Sequence, residues 1–205
     1  PRSTLFPYTT LFRSVFVAGQ PAALRQVAEG RIEAVLPMAI PGNTRHQLVV
    51  QRGRSYSPPE DLLVTSLSPA VFSADGTGRG QGLIFVIGEE GEATLADAGR
   101  PVLPGDLLHI RLAGLGLTTP PVPTGQPAPA DPLAKVPLPV RVTIDGQHAE
   151  VVSTELEPGQ VGVYRIVVRA PEGIRPSASA PVAVTVGEVD CPPITMVIGA
   201  PPESQ

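Results

Sequence analysis

Proline and glycine interrupt this chain so often that long helices are disfavoured. Among its 205 residues, 26 are proline and 21 are glycine. Proline breaks the hydrogen bonding of a helix interior, and both residues mark turns. A mainly helical protein and a doubly wound α/β enzyme are therefore poor candidates. Because 42% of the residues are hydrophobic, the chain has enough apolar surface to fold. The composition predicts an all-β protein with many short strands and proline-rich loops.

Charge and cysteine content exclude several classes of partner and site. The formal net charge is −4 and no block of basic residues occurs, so we expect no nucleic-acid partner. The single cysteine, Cys191, excludes an intramolecular disulfide and a metal site built from several cysteines. No apolar run reaches the length of a membrane span.

The first fourteen residues resemble a peptide that arises when sequencing-adaptor DNA is translated. The triplet Thr-Leu-Phe occurs at Thr4–Phe6 and again at Thr10–Phe12. The alternative is a genuine N-terminal strand. We interpret residues 1–14 as a non-native segment, so native sequence is expected to begin near Val15, inside a domain.

An internal repeat predicts two related modules. The pattern V-x-x-x-G-Q-x-A occurs at Val15–Ala22 and at Val142–Ala149. Each copy is a β-rich run, a turn that carries Gly19 or Gly146, and a second run, which is typical of a hairpin. A period this long indicates duplicated domains.

The repeat also decides between a helix and two strands for Pro21–Leu36. The apolar residues of this segment have helical spacing. Its counterpart in the second copy, however, carries Pro158-Gly159 where the first has Glu29-Gly30, and a Pro-Gly pair favours a turn between strands. We therefore predict two strands joined at Gly30.

The clearest strands lie in the second half of the chain. They are predicted from alternation and β-branched residues at Leu107–Leu112, Val140–Ile144, Val161–Val168 and Val182–Val186. Residues 118–139 hold eight prolines and are predicted to form a long ordered loop between two sheets, with Leu133 and Val136 as apolar anchors. A polyproline ligand is the alternative for this segment.

Several short motifs in a fixed order resemble one family. They are Ser68–Ser73, Pro104–Asp106, Ala113–Gly116, Thr124–Pro129, Pro132–Ala134 and Pro158–Tyr164. The set is similar to the Solibacter-type uncharacterised C-terminal domain, found at the ends of large exported proteins of Acidobacteria, and the resemblance covers about Val15 to Ile198. It implies an immunoglobulin-like β-sandwich related to the IPT/TIG type, preceded by a similar smaller module. No catalytic residues are carried over from this family.

The expected organisation follows from the repeat and the resemblance. Two tandem immunoglobulin-like modules are expected, the first truncated at its N-terminus over residues 15–67. The second covers 68–199, and 200–205 form a tail. The Gly187–Pro193 stretch departs from the family pattern, which leaves the register of the last strand open. A module without its first strands exposes an unpaired sheet edge, so self-association is an expected property.

The titratable residues show no spacing typical of a metal or nucleophile site. His46, His109 and His148 lie far apart in the sequence, and no G-x-S-x-G motif is present. The glycine-rich segment Asp75–Gly82 lacks the lysine of a phosphate-binding loop, and a flexible inter-module connection is the favoured interpretation.

The acidic clusters and the cysteine also favour structural roles. Glu89–Glu92 and Glu155–Glu157 are interpreted as solvated charge beside turns, with weak calcium binding as the alternative. Cys191 is expected to be a passive thiol, since no cation or helix terminus accompanies it in the sequence. We expect no catalytic, metal or cofactor site.

These expectations point to a non-catalytic, extracellular or cell-surface module. Such a module would act as a spacer, adhesion or interaction domain, with an unknown protein or glycan ligand and neighbouring modules of its parent chain as partners. The alternative is an accessory carbohydrate- or cell-wall-binding domain of a secreted hydrolase.

Overall fold

The protein is all-β. A computed structural model describes residues 13–200, and this part of the chain contains strands and turns but no helix. Consequently no helix in this range could cross a membrane. The described residues form two compact units: 13–66 with Val122–Pro127, and Leu67–Pro121 with 128–200. The predicted adaptor-like segment lies outside the described residues except for Arg13 and Ser14, and the predicted tail lies outside them except for Ala200.

The first unit consists of a five-stranded sheet and a separate two-stranded hairpin. Its strands are β1 (Arg13–Val17), β2 (Gln20–Pro21), β3 (Ala23–Ala28), β4 (Arg31–Val35), β5 (Thr44–Arg52), β6 (Ser55–Tyr56) and β7 (Glu60–Val64). The five-stranded sheet has the order β2-β1-β5-β6, with β7 also paired to β5, and β3 and β4 form the hairpin. The prediction of two strands joined at Gly30 is confirmed.

The second unit contains a ten-stranded antiparallel sheet. Its strands are β8 (Ala70–Val71), β9 (Ile84–Ile87), β10 (Ala93–Leu95), β11 (Leu107–Ala113), β12 (Val140–Ile144), β13 (Gln147–Leu156), β14 (Tyr164–Arg169), β15 (Ser177–Val186), β16 (Val189–Asp190) and β17 (Ile194–Ile198). The order is β10-β9-β11-β14-β13-β12-β15-β16, with β8 on β11 and β17 on β15.

The strand β13 belongs to both halves of a sandwich. Its first residues pair with β12, and Glu150–Leu156 pair with β14 across a register shift between Val151 and Ser153. A bulge of this kind bends a strand and increases its twist. Each half then buries one face, as alternation in β11 shows: Leu108, Ile110 and Leu112 are buried between half-exposed neighbours.

Both copies of the repeated motif form the predicted hairpin. In β1–β2 the turn residues Ala18 and Gly19 have φ of 53° and 73°, and in β12–β13 the turn residues Asp145 and Gly146 have φ of 49° and 76°. Two successive positive φ values characterise the type I′ turn, whose twist matches that of paired strands. The repeat therefore encodes the same local structure twice.

The proline-rich loop is ordered against the edge of β13. The amide of Val136 donates to the carbonyl of Thr154, and the amide of Leu156 donates to that of Ala134, both at 2.9 Å. Ala134 and Val136 are buried and Leu133 is half-buried. The loop thereby provides hydrogen-bond partners for amide and carbonyl groups along an edge of β13 that would otherwise be unpaired.

One strand prediction needs correction. The strand predicted from Val161 begins only at Tyr164, because residues 161–163 form the bend that follows Pro158-Gly159. The Tyr164 hydroxyl donates to the Gly116 carbonyl, which fixes the start of β14 beside the end of β11. At the C-terminal end, Gly187 turns the chain so that β16 pairs back onto β15, and β17 pairs with the earlier part of β15.

Gly114 should tolerate no side chain. Its φ is +81°, and a Cβ would lie 1.9 Å from the Ser68 carbonyl oxygen. Gly159 has φ +77°, but a Cβ there would meet nothing within 4 Å. We expect Gly114→Ala to lower the free energy of unfolding by about 2–4 kcal/mol and Gly159→Ala by about 1 kcal/mol, because only the first adds a backbone clash to the conformational cost. Urea unfolding of both variants measures the difference, and equal losses would contradict the expectation.

Candidate functional site

Charged and aromatic side chains gather on the outer face of one half of the second unit. On β11, His109 and Arg111 alternate with the buried Leu108, Ile110 and Leu112, so they lie on the face away from the core. The same alternation places side chains of β9, β13 and β14 beside them. We call this group the outer-face cluster; its members are Phe85, His109, Arg111, Glu155, Glu157 and Arg165.

Two arginine–glutamate pairs form the charged part of the cluster. Arg165 Nε donates to Glu155 Oε1 at 2.6 Å, and Ser153 Oγ donates to the same oxygen at 3.2 Å. Arg111 donates to Glu157 Oε1 through Nε at 3.1 Å and through Nη2 at 2.5 Å. Charge-assisted hydrogen bonds of this kind are stronger than neutral ones.

The register of the strands explains why the two pairs lie together. Arg111 on β11 is directly opposite Arg165 on β14, and Arg165 is opposite Glu155 on β13. Two like charges in directly opposed positions repel each other. The two carboxylates offset that repulsion, and the Arg111 guanidinium also lies over the Phe85 ring, 4.5 Å from its centroid.

The carboxylates of the cluster are buried unevenly. The Glu155 side chain is 0% exposed and that of Glu157 is 13% exposed, while Arg165 and Arg111 are 23% and 35% exposed. Within residues 13–200, neither Glu155 Oε2 nor Glu157 Oε2 has a hydrogen-bond partner, although both atoms are buried. The interpretation of Glu155–Glu157 as solvated charge beside a turn is therefore wrong: Glu155 lies within β13, paired with the proline-rich loop, and both carboxylates bind arginine.

Burial also changes the protonation of His109. Desolvation lowers the pKa of His109 below its ordinary value of 6.5, and the positive charge of Arg165 lowers it further. Glu157 and Glu155 act in the opposite direction, and Arg111 adds a smaller lowering effect. The histidine predicted to lie in a strand is therefore a half-buried imidazole whose neutral form is favoured.

This shift predicts a pH-dependent stability. The pKa of His109 is lower in the folded chain than in the unfolded chain. Its contribution to the free energy of unfolding is therefore fully present above about pH 6.5 and is lost as the pH falls through the pKa of the folded chain. Denaturant unfolding of wild type and His109→Gln between pH 5 and 7.5 tests this. We expect wild type to lose more stability below pH 6.5 than the variant, whereas parallel curves would contradict the assignment.

The other two histidines are not members of the cluster. His46 Nε2 lies 2.7 Å from the Pro41 carbonyl oxygen in the first unit. His148 is exposed on β13, opposite Thr143. Among the described residues, no group of three or more His, Cys, Asp or Glu side chains could hold a metal ion.

The glycine-rich segment is an internally bonded loop of the second unit, so its interpretation as an inter-module connection is wrong. A bridge between Ser73 and Gly82 closes it. Asp75 Oδ1 accepts from Ser73 Oγ at 2.8 Å and from the Thr77 amide and hydroxyl at 3.0 and 2.8 Å. The bonds from Thr77, followed by that from Ser73, lower the pKa of Asp75. One carboxylate oxygen of Asp75 is thus bonded to the loop itself.

The remaining sequence candidates occupy turns and an edge. Glu89–Glu92 form the turn between β9 and β10, which the Gly88 amide closes on the Glu92 carbonyl at 2.9 Å. Cys191 follows β16 and is half-buried. Burial, with the nearby charge of Asp190, raises the pKa of its thiol to about 11, so the thiol stays protonated at neutral pH.

Comparison with known proteins gives no relative for this arrangement. No protein-family model matches the chain. No curated protein and no solved structure matches it either.

Proposed function

We propose that this chain is a non-catalytic β-sandwich module of a secreted or cell-surface protein, serving as a spacer, adhesion or interaction domain. In this proposal the two units are tandem immunoglobulin-like modules of the Solibacter-type C-terminal domain family. The observation that supports it most is that Glu155 and Glu157, the buried carboxylates of the outer-face cluster, each form an ion pair with an arginine. These ion pairs hold neighbouring strands together.

A covered strand edge in the second unit supports a spacer role. Along the outer edge of β17, the Thr195 amide donates to the Gly80 carbonyl at 2.7 Å and the Gly82 amide donates back to Thr195 at 2.9 Å. Further along, the Val102 amide donates to the Val197 carbonyl at 3.0 Å. A covered edge does not recruit strands of other chains, which suits a module that must stay separate from its neighbours.

A turnover assay tests the non-catalytic part of the proposal. The full chain is incubated with soluble polysaccharides and the release of reducing ends is compared with that of Glu157→Gln, which alters the more exposed carboxylate of the pair. We expect both chains to match a boiled control. Turnover by wild type that the variant lacks would overturn the proposal, because a hydrolase uses such a carboxyl as acid, base or nucleophile.

A binding screen addresses the interaction part. The unfolding temperature of the full chain is measured with a panel of neutral and acidic oligosaccharides, because a ligand that binds only the folded state raises it. A rise with some of these sugars and no turnover supports an interaction domain. A rise together with catalysis would instead support an enzyme.

A further inference from the structure

The two units share one strand arrangement, part of which has no counterpart among the described residues of the first unit. In the first unit, β1 pairs with β2 and β5, and β5 also pairs with β6 and β7. In the second unit, β12 pairs with β13 and β15 in the same way, and β15 also pairs with β16 and β17. A bulge recurs as well: the register shift between Leu24 and Gln26 in β3 and that between Val151 and Ser153 in β13 both begin two residues after the last alanine of the repeated motif. The strands β3 and β4 therefore correspond to the later part of β13 and to β14.

This correspondence identifies an edge of β4 that has no partner strand within residues 13–200. In the second unit, β14 pairs with β13 on one side and with β11 on the other, over the six residues Leu107–Leu112. In the first unit, β4 pairs with β3, and these two strands form a sheet of their own. A sheet of only two strands is marginally stable, and three or more strands are the usual minimum. The edge of β4 that corresponds to the β11 side of β14 is therefore a place where one more antiparallel strand fits.

The sequence of β4 is complementary to itself in charge. Arg31 and Glu33 flank Ile32, and their side chains are 71% and 36% exposed. If two copies of β4 pair antiparallel with Ile32 opposite Ile32, each Arg31 lies directly opposite the partner's Glu33, and opposite charges in that position stabilise a sheet. Centring the pairing on Arg31 or on Glu33 would instead place like charges directly opposite each other. Charge therefore selects the register that is centred on Ile32.

The same register extends an apolar row across the paired strands. Ile32 is directly opposite Val27 of β3, and both side chains are half-buried. Pairing on Ile32 places the two isoleucines side by side between two valines, so four β-branched side chains follow one another on one face. Branched side chains of this kind pack well on the pleated surface of a sheet. The strands involved come from residues 23–35, which lie outside the adaptor-like segment.

We propose that the free edge of β4 is a dimerisation surface, on which β4 of a second copy pairs antiparallel with Ile32 opposite Ile32. The product is a four-stranded sheet with the order β3-β4-β4-β3 and a two-fold axis at Ile32. Main-chain hydrogen bonds supply the affinity, as when an added strand extends an open sheet edge, and the pairs of Arg31 with Glu33 set the register. The surface lies in the first unit, so it is independent of the non-catalytic role proposed from the outer-face cluster.

Sedimentation equilibrium of the full chain, from about 1 to 300 μM because a short edge buries little area, measures the dissociation constant of the dimer. We expect Arg31→Glu to raise that constant about tenfold or more, because two like-charge pairs replace two opposite-charge pairs in each dimer. Combining Arg31→Glu with Glu33→Arg reverses both charges and should return the constant to within about threefold of wild type. The matched control is Arg25→Glu, which makes the same charge change at an exposed position of β3 and should change the constant by less than about twofold.

Disulfide crosslinking tests the register. The native thiol is first removed by Cys191→Ser, and either Ile32→Cys or Ala34→Cys is then added. Directly opposed side chains have their Cβ atoms about 5 Å apart, so the thiols of Ile32→Cys should join two copies under mild oxidation. The thiols of Ala34→Cys would lie four positions apart along the paired strands, about 13 Å, and should crosslink at least about tenfold more slowly.

Dimerisation that Arg31→Glu weakens, the double charge reversal restores and Ile32→Cys traps supports the proposal. A chain that stays monomeric at every concentration would overturn it, in favour of a strand from a different protein on this edge. Dimers that Arg31→Glu and Arg25→Glu weaken equally, that the double reversal does not restore, or that crosslink faster through Ala34→Cys would contradict it as well. Far-UV circular dichroism of each variant separates a lost dimer from a lost fold.

Discussion

Arg165→Met is expected to lower the free energy of unfolding of the second unit by about 3 kcal/mol, because it leaves the fully buried Glu155 carboxylate without its positive partner. Methionine has a similar length and no charge, so the change removes the guanidinium while keeping much of the apolar stem. Ser153 Oγ would remain as a donor to Glu155, but one neutral hydroxyl offsets only part of the cost of a buried charge. Urea unfolding monitored by far-UV circular dichroism measures the loss.

Two further variants separate this effect from simple loss of an arginine. Arg169 lies on the same strand as Arg165, but its ion pair with Glu150 of β13 is exposed on both sides and 3.9 Å long. Arg169→Met should therefore have a much smaller effect. Combining Arg165→Met with Glu155→Gln removes both charges and should recover at least part of the stability. A loss in Arg165→Met no larger than that in Arg169→Met would show that Glu155 does not depend on its arginine.

Much of the fold follows from local sequence patterns. The repeated V-x-x-x-G-Q-x-A motif contains Gly19 and Gly146 at positions that require positive φ, and both become type I′ turns. Comparing the two copies also corrected the helical periodicity of Pro21–Leu36, because the structure has β3 and β4 there. Turn chemistry and alternation are local properties, so one sequence was enough to recognise them.

Predicting the outer-face cluster would have required information that a sequence pattern does not contain. The alternation of Glu155 and Glu157 with Thr154 and Leu156 could have indicated that both carboxylates share one face of a strand. Their arginine partners, however, lie on β14 and β11, and the order β11-β14-β13 in the sheet is set by the global topology. The burial of Glu155 also depends on a loop from another part of the chain that pairs with β13.

The juxtaposition of two arginines in the first unit has the same origin. Arg13 and Arg52 are 39 positions apart in the sequence, and only the antiparallel register of β1 and β5 makes them direct neighbours. The net charge of the whole chain does not indicate this local excess of arginine, because the acidic residues of the second unit outweigh these arginines. A composition total thus conceals a charge separation between two parts of one chain.

Backbone amides of the first unit are expected to exchange with solvent at least about 100-fold faster than those of β11 and β14. Prolines aside, the described part of the chain has 33 buried hydrophobic side chains, of which only Val15, Val17 and Ala22 belong to the first unit and the other thirty to the second. Each fully buried large aliphatic side chain contributes about 1.5–3 kcal/mol, and every 1.4 kcal/mol changes the open population about tenfold. Native-state hydrogen exchange followed by mass spectrometry of peptides from β1, β5, β11 and β14 measures the ratio.

The denaturant dependence of exchange distinguishes local opening from unfolding of a whole unit. Amides of β11 and β14 should exchange only through a large opening whose free energy falls steeply with urea, because that opening exposes the sandwich core. Amides of β1 and β5 should exchange through a smaller opening with a shallower slope, since little apolar surface is buried around them. Equal protection in both units would mean that the half-buried side chains of β5, Leu48, Val49 and Val50, stabilise the first sheet as much as a full core does.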